Sequence, residues 1–533
     1  MTSNSEALVK MANLPDKQSP TDVEVGTSSE VIDMVPGTRL LLGQSRDRQS
    51  LDIILSPEPS SDPDDPLNWS TLRKFRSFFV VNLYSFMVAV VSLSTAVTYG
   101  ALIAEFHTTA SYLNVGSAVS MLFIGMGNII WNPMALRYGR RPVYILSSLL
   151  TGVAQIVAAT AQRSDVFVGS RILMGFVAAP FEQLPAVTVN DQFFVHQRGF
   201  ALSMYVLAAT LGSFLGPLAT GFIVDGVGWR WVYWIFAIAM GLVSILAFFL
   251  LEETGYNRDD NTRRGSGPPL QAKSYRDKLG LISNLKLPQS LGITIIQPIK
   301  LLVEPIILWS ACIYGFGISW LAIMAFTSNT VFQSPLYGYH FSYTAVGLTS
   351  LSPLVGSMVL FYVGGAGTDR FMIWQARQNN GVMEPESRIY SALVAGPIMG
   401  AGLVLYGVGA SSGLPWIVPV VGMGLIGAGI PIAGEVSLGY VTECYSHKAG
   451  EASTAMITVR NIIACAMIFA TEPWINNNGL RDTFIIMGLI CHPTSMPKGP
   501  TLLGRSGVFG QSDVIPKPAY KSHLKMLLRL TND

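Results

Sequence analysis

Charged residues are scarce in this 533-residue chain: Asp, Glu, Lys and Arg together make up 13% of it, whereas hydrophobic residues make up 50%. A soluble globular domain carries about 25% charged residues. The shortage argues against a soluble protein and indicates many apolar segments that cross a lipid bilayer. The formal net charge of +2 is too small to indicate a nucleic-acid partner, and we expect none.

Cysteine is scarce as well, and the four that occur lie in or beside apolar runs. We therefore expect free thiols rather than a disulfide framework. The chain has neither the paired Cys and His spacing of a zinc site nor the GxxxxGK[ST] loop that binds nucleotide phosphates. We expect no metal, no bound cofactor, no enzymatic activity and no ATP-driven pumping.

Much of the chain consists of apolar runs long enough to span a membrane. They lie near residues 77–101, 114–136, 143–161, 167–189, 199–223, 231–251, 303–326, 344–365, 389–409, 415–440 and 452–473. A twelfth run begins at Asp482 and stops at Cys491, because His492 and Pro493 follow. Its nine or so apolar residues cover about 13 Å, less than half of the hydrocarbon core. The pattern predicts an all-α membrane protein with two six-helix halves and an incomplete last span.

The runs also set the predicted boundaries along the chain. Residues 1–76, rich in Ser, Asp, Pro and Glu, are predicted to be a disordered cytoplasmic tail. The remaining segments are the N-terminal half (77–251), a cytoplasmic middle loop (252–302), the C-terminal half (303–491) and an atypical C-terminal tail (492–533). Lys and Arg concentrate in the loops on the side of the N-terminus, and the opposite loops carry only Arg163, Arg230 and Arg481. This bias predicts a cytoplasmic N-terminus.

A short basic turn joins the second and third runs. It contains Arg137, Gly139, Arg140 and Arg141, and its arginines could hold helix C-termini and cytoplasmic acids. The alternative is a simple positively charged anchor on the cytoplasmic side.

The second half has an echo of this turn between the eighth and ninth runs, with Gly365, Asp369 and Arg370. A feature that recurs in both halves indicates an internal repeat, which is typical of secondary transporters.

The fifth run contains Gly212, Gly216, Pro217 and Gly221. Glycines allow a neighbouring helix to approach closely, and the proline removes a backbone hydrogen bond and bends the helix. Two interpretations remain open: static packing, or a hinge between the two halves.

The fourth run carries two ionisable residues, Arg171 and Glu182, and the acid lies between Pro180 and Pro185. On one continuous helix they would lie on nearly the same face about 16 Å apart, so each needs its own partner. Glu182 is the candidate for proton coupling, because burial favours the neutral carboxyl and alternating access to water would let it bind and release a proton. The alternative is an acid held by a cation for structure. Arg171 is a structural candidate if the substrate is a cation and a substrate-binding candidate if it is an anion.

The second half offers further candidates. Glu435 and Arg460 lie at similar depth in the tenth and eleventh runs and are predicted to pair, for structure or for transport. Tyr314 in the seventh run could line a cavity for flat or cationic compounds, although aromatic residues in spans more often serve packing.

Several segments together resemble the major facilitator superfamily over about residues 62–490. They are DPDDPLNWS (62–70), RYGRRP (137–142), Arg171 as a span-four arginine, GSFLGP (212–217), GWRWVYWI (228–235), EETGYNR (252–258) and GAGTDR (365–370). Within the superfamily the chain resembles the fungal drug:proton antiporters with twelve spans, in the polyspecific and cation-transporter branch. It has Leu136 where the usual loop motif has Asp. The resemblance implies the major facilitator fold, with spans one, four, seven and ten around a central cavity that Glu182 and Glu435 could both face.

These observations favour a monomeric secondary transporter in the plasma membrane that couples protons to the efflux of small organic compounds. Its implied partners are the substrate, protons and the lipid bilayer. One alternative is proton symport that takes up small organic cations such as polyamines. Another, motivated by the short twelfth run, is a non-transporting or inactive membrane protein.

Overall fold

The computed structural model describes residues 39–40, 62, 65–256, 291–334, 337–362, 367–378, 382–383, 388–445 and 448–494. These residues are almost entirely helical. Two two-residue strands, Arg39–Leu40 and Val382–Met383, pair in antiparallel orientation. Eleven helical stretches are long and apolar enough to cross a membrane. The prediction of an all-α membrane protein is therefore confirmed.

The first half contains six spans. They are span 1 (Thr71–Leu93 and Thr95–Phe106), span 2 (Ala110–Tyr138), span 3 (Arg140–Ala159), span 4 (Ser164–Ala178, Ala179–Glu182 and Leu184–Gln192), span 5 (Val195–Val227) and span 6 (Trp229–Leu250).

The second half begins with a short helix, here called the linker helix. Its elements are the linker helix (Leu291–Leu301), span 7 (Pro305–Gln333), span 8 (Tyr343–Thr349 and Leu351–Tyr362), a connecting helix (Thr368–Gln378), span 9 (Ile389–Ser411), span 10 (Ile417–Cys444) and a last helical stretch (Ala449–Thr494).

The last stretch is two helices, because Gly479 has a φ of 78° and breaks the regular geometry. Residues 449–478 form span 11, and residues 480–494 form a twelfth helix about 22 Å long, short of the roughly 30 Å hydrocarbon core. The twelfth helix packs on span 9, where the rings of Phe484 and Tyr406 lie 5.0 Å apart. Within the described residues the last helix is therefore short, and it continues past Cys491, where the sequence predicts its end.

The spans alternate in direction, so the bundle has two ends. We call the end where spans 2, 4, 8 and 10 finish the basic end, because the arginine-rich loops lie there. Outward-facing side chains along the spans are apolar, for example Ile238 at 67% exposure. This is the surface that a lipid environment requires.

The chain just before span 1 is ordered and docks at the basic end. Trp69 is 5% exposed, and the Arg73 guanidinium lies 4.2 Å from its ring centroid. Arg73 and Arg76 both pair with Glu252, which follows span 6. These residues differ from the predicted disorder through residue 76. Most of the two predicted tails, and residues 257–290 of the middle loop, lie outside the described residues.

Candidate functional site

Span 4 breaks into three pieces at the position of its acid. A regular helix ends at Ala178, a 3-10 turn covers Ala179–Glu182, and a second helix begins at Leu184. Pro180 and Pro185 explain both boundaries, because proline lacks an N–H and favours the first turn of a new segment. The continuous helix assumed for Arg171 and Glu182 was therefore wrong, although each residue does have its own partners.

Tyr205 of span 5 satisfies the backbone at this break. In a continuous helix the N–H of residue 185 would donate to the Phe181 carbonyl, and Pro185 has no N–H. The Tyr205 hydroxyl donates there instead, 3.0 Å from the Phe181 oxygen and 3.2 Å from that of Glu182. The turn that carries Glu182 is thereby fixed to span 5.

The Glu182 side chain pairs across the boundary between the two halves. Its carboxylate forms an ion pair with Arg460 of span 11, and Asn461 Nδ2 donates to the second carboxylate oxygen at 2.9 Å. The side chains of Glu182 and Arg460 are only 8% and 5% exposed. Because an isolated buried charge is costly, each ion offsets part of the cost of burying the other. We call Glu182, Arg460 and Asn461 the central cluster.

Tyr314 completes the surroundings of Arg460. The guanidinium carbon lies 4.6 Å from the centroid of the Tyr314 ring, a distance at which the ring face attracts a cation. The same ring lies 3.2 Å from the point where a Cβ on Gly434 of span 10 would stand. The structure thus brings together three of the predicted site residues, Glu182, Tyr314 and Arg460.

The predicted pair of Glu435 with Arg460 was wrong. Arg388, at the start of span 9, lies 3.4 Å from Glu435 and 2.8 Å from Glu443. Arg460 is instead engaged by Glu182 from the other half. Whether Glu182 and Glu435 face one cavity stays a prediction.

Arg171 stays inside the first half. It is 3% exposed and donates to the Val91 carbonyl at 3.2 Å and to Gln155 Oε1 at 3.4 Å. Among the described residues no carboxylate forms an ion pair with it. These contacts join spans 1, 3 and 4. They are the kind of contact expected of a structural residue, and a role in substrate binding stays a prediction.

A chain of neutral hydrogen bonds joins the halves on the basic-end side of the central cluster. Asn132 of span 2 donates to the Thr454 hydroxyl of span 11 at 2.7 Å. That hydroxyl donates to Gln183 Oε1 at 2.7 Å, and Gln183 Nε2 donates to the Gly450 carbonyl at 2.8 Å. Sequence reasoning missed these residues, because neutral amides and hydroxyls in apolar runs carry no charge signal.

Contacts towards the opposite end also join the halves. Asn114 of span 2 donates to Glu472 of span 11 at 3.2 Å. Asp225 of span 5 accepts from the backbone and hydroxyl of Thr344 in span 8, at 2.7 and 2.6 Å. Along span 11 the central cluster lies between these contacts and those of the basic end, so the halves are joined on both sides of it.

Comparison with known proteins now identifies the family. Residues 78–468, most of the helical bundle, match the sequence model of the Major Facilitator Superfamily. The chain belongs to this superfamily. It is therefore a membrane transporter and not an enzyme.

Similar proteins include fungal members of the superfamily. The chain is 30% identical to the efflux pump radE of Floropilus chiversii, over 77% of this chain and 76% of that protein. It is 26% identical to protein HOL1 of Saccharomyces cerevisiae, over 83% and 88% of the two chains. Among solved structures, the xylose transporter XylE of E. coli, in a partially occluded inward-open conformation, aligns with a TM-score of 0.57 at 15% identity, over 79% of this chain and 97% of that one. That likeness shows the shared fold.

In this superfamily member the turn between spans 2 and 3 is capped by an acid that follows span 6. Gly139 has a φ of 108°, a conformation that favours glycine. The backbone N–H groups of Arg140 and Arg141 donate to the Glu253 carboxylate at 2.9 and 3.1 Å. A carboxylate at a helix N-terminus is stabilised by the helix dipole. Arg141 is fully buried and donates to the Phe248 carbonyl at 2.6 Å.

A second acid also contacts this turn, which has Leu136 where the usual loop motif has Asp. Asp191, near the end of span 4, lies 3.0 Å from Arg140, whereas Arg137 is exposed. The acidic EETGYNR segment was noticed in the sequence, but its role as a cap for span 3 was not predicted.

The Arg140–Asp191 pair has a counterpart in the second half. Each arginine stands at the start of its span, 3 or 9, and each acid near the end of the next span, 4 or 10, where Arg388 meets Glu443. Gly439 provides the space for Arg388, since a Cβ there would lie 3.0 Å from the arginine Cδ. The two pairs thus occupy matching places in the two halves, and the internal repeat of the two loop motifs stays a prediction.

The echo motif between spans 8 and 9 is only partly described. Gly365 lies outside the described residues, and Asp369 and Arg370 lie in the connecting helix. Thr368 at the start of that helix bonds the Ser391 hydroxyl of span 9 at 2.8 Å. Roles for Asp369 and Arg370 stay predictions.

The glycines of span 5 make two kinds of close contact. Within the first half, a Cβ on Gly212 would overlap the Phe86 carbonyl, and one on Gly216 would lie 2.9 Å from Val90 Cα of span 1. Across the halves, a Cβ on Gly221 would lie 2.5 Å from the Tyr343 carbonyl of span 8.

Pro217 lies between the part of span 5 that packs against span 1 and the part that packs against span 8. A Cβ on Gly347 of span 8 would lie 2.9 Å from the Pro217 carbonyl. Both interpretations of the motif, static packing and a hinge, are compatible with these contacts.

A small pocket opens beside Pro217 on the boundary between the halves. It is lined by apolar side chains and three serines: Leu93, Ala96, Val97, Ser213, Phe214, Pro217, Leu321, Met324, Ala325, Ser328, Val346, Ser350, Pro353 and Met423. Such a lining fits an apolar group that also accepts or donates a few hydrogen bonds.

Proposed function

We propose that this transporter exchanges protons for small organic compounds, and that Glu182 is the group that carries the proton. The observation that supports this is the buried ion pair between Glu182 and Arg460, which joins the two halves. A proton bound to Glu182 removes the negative charge and hence the attraction that joins the halves at this level. The protonation state of one residue would then control which conformations are accessible.

The geometry fits an antiport cycle. Protonation from the opposite end breaks the pair, so that spans 4 and 11 can separate at the basic end. There Glu182 releases its proton, substrate binds, and the pair re-forms as the basic end closes. Substrate then leaves from the opposite end. Each cycle moves a proton one way and a substrate molecule the other.

Further observations support a substrate class and a direction of transport. The pocket beside Pro217 is small and mostly apolar, a lining that favours an apolar group of an organic compound over an inorganic ion. One relative is named an efflux pump, and the positive loops at the basic end favour a cytoplasmic position for that end. The proposal is therefore efflux from the cytoplasm by a monomer in the plasma membrane.

The test uses purified protein in lipid vesicles that contain a pH-sensitive dye. Two probes, the lipophilic cation rhodamine 6G and the polyamine spermidine, are each added with and without an imposed pH gradient. Antiport predicts that the probe and protons move in opposite directions. Movement in the same direction would support the symport alternative. No movement of either probe or of protons would support a non-transporting protein.

Glu182→Gln provides the decisive variant. It should still exchange labelled for unlabelled probe but should no longer respond to the pH gradient. Glu435→Gln is the matched control, because Glu435 is also an ion-paired acid of a membrane span, but its partner Arg388 lies in the same half and its side chain is 29% exposed. If Glu182→Gln responds to the gradient as the wild type does, the coupling role of Glu182 is wrong.

A further inference from the structure

The linker helix Leu291–Leu301 carries an exposed apolar row. Ile293, Ile296 and Ile299 are 50%, 50% and 45% exposed. Their spacing of three residues places them along one side of the helix. Lys300 is the only charged residue of this helix, and it is exposed.

The other side of the helix faces the bundle. Thr294 is 7% exposed and Pro298 is buried. The helix packs against spans 2 and 11, one from each half. Leu301 adds to a core cluster that includes Ala452 and Met456 of span 11.

The position of the helix along the bundle is fixed by the chain. Span 7 begins at Pro305, only a few residues after Leu301, and span 7 starts at the basic end. Val303 in the connection is 76% exposed, and Leu308 at the start of span 7 is 39% exposed. Exposed apolar residues thus follow one another along the chain from the helix into the start of span 7.

We propose that the linker helix is an interfacial helix that lies in the membrane surface at the basic end. Its isoleucine row occupies the boundary between headgroups and acyl chains, as the apolar face of an amphipathic helix does. Lys300 beside the row reaches the headgroups. The partner of this surface is lipid, because exposed apolar residues continue along the chain from the row through Val303 to Leu308 of a membrane span.

This placement has a consequence for opening. The helix touches spans 2 and 11, which Asn132 and Thr454 join by a hydrogen bond. When these spans separate, the helix must leave one of them. Insertion in the membrane surface therefore ties the opening of the basic end to the lipid around it.

Spin labels test the position of the helix directly. Single cysteines replace Ile293, Ile296 or Ile299 in a background in which the four native cysteines are alanine, and the labelled protein is placed in phosphatidylcholine vesicles. The collision rates of each label with oxygen, which concentrates in lipid, and with a water-soluble nickel chelate are compared. Reference labels are Ile238→Cys on span 6, which faces lipid, and Arg137→Cys, which is exposed in the loop between spans 2 and 3.

All three labels are expected to resemble the Ile238 reference, with high oxygen and low nickel accessibility. Nickel accessibility equal to that of the Arg137 reference would overturn the proposal. A second measurement needs no substitution: the native protein is irradiated in vesicles that contain a lipid with a photoreactive group near its acyl carbonyl. Adducts on the peptide that contains residues 291–301 are expected. Adducts on span 6 without any on this peptide would also overturn it.

Discussion

The carboxylate of Glu182 and the guanidinium of Arg460 form a buried ion pair although 278 positions separate them in the chain. One belongs to a broken helix of the first half and the other to a continuous stretch of span 11 in the second. The pair therefore exists only while the halves are together at this level. Its strength bears on both the stability of this conformation and the ease of leaving it.

The first prediction concerns this coupling. Glu182→Gln and Arg460→Gln should each destabilise the protein by about 3–5 kcal/mol, because each leaves the other charge buried and unpaired. The double variant should be more stable than the sum of the single effects implies, because no unpaired charge remains. Thermal unfolding in detergent, followed by tryptophan fluorescence, measures all four proteins. If the loss of stability in the double variant equals the sum of the losses in the two single variants, the two side chains do not depend on each other.

The sequence predicted the membrane spans and the short last helix, because length and apolarity are local properties. It also predicted that Glu182 needs a partner, since a charge at that depth is costly. It could not identify that partner. Glu435 and Arg460 lie at similar depth, but which cation meets which acid depends on how two distant helices pack.

The sequence also predicted the wrong backbone geometry for span 4. The distance between Arg171 and Glu182 was derived for a continuous helix, whereas the two prolines divide span 4, and the backbone donor comes from Tyr205 of another span. The sequence likewise did not identify Asp191 and Glu253 as partners of the basic turn between spans 2 and 3. Both lie far from it in sequence and meet it only in the folded bundle.

The second prediction concerns Gly216. In Gly216→Leu the new side chain would collide with Val90 of span 1. Overpacking of this kind costs about 1–3 kcal/mol, which corresponds to roughly tenfold or more in rate if it falls on a conformational step. Gly226→Leu is the control in the same span, because nothing lies within 4 Å of a Cβ there. The rate of transport of rhodamine 6G or spermidine, whichever the wild type moves, should fall roughly tenfold or more in the first variant and be kept in the second. Equal rates in both would show that the span 1–span 5 contact is not tight during transport.

The third prediction concerns the backbone of the Glu182 turn. Tyr205→Phe removes the donor to the Phe181 carbonyl and should cost about 1–3 kcal/mol, the usual penalty for an unsatisfied buried group. In a Pro185→Ala background residue 185 has an N–H of its own, so the same Tyr205→Phe change should cost less. Thermal unfolding of the two single variants and the double variant measures the difference. If Tyr205→Phe costs the same stability in the wild-type and the Pro185→Ala backgrounds, the effect of Tyr205 comes from packing rather than from its hydrogen bond.

The last prediction concerns the hydrogen bond between Asn132 and Thr454, 2.7 Å long and formed between the two halves. If transport requires spans 2 and 11 to separate there, a covalent link between these positions must stop it. Asn132→Cys and Thr454→Cys are combined in a background in which the native cysteines are alanine, and the pair is joined with a short, reducible bifunctional thiol reagent. Transport of the probe that the wild type carries should fall to background and return after reduction. Thr368→Cys with Ser391→Cys is the matched control, since these hydroxyls lie 2.8 Å apart within the second half. Linking them leaves the halves free to move, so transport should persist. Full transport by the linked Asn132–Thr454 pair would mean that the basic end does not open between spans 2 and 11, and the proposed route for proton release from Glu182 would have to lie elsewhere.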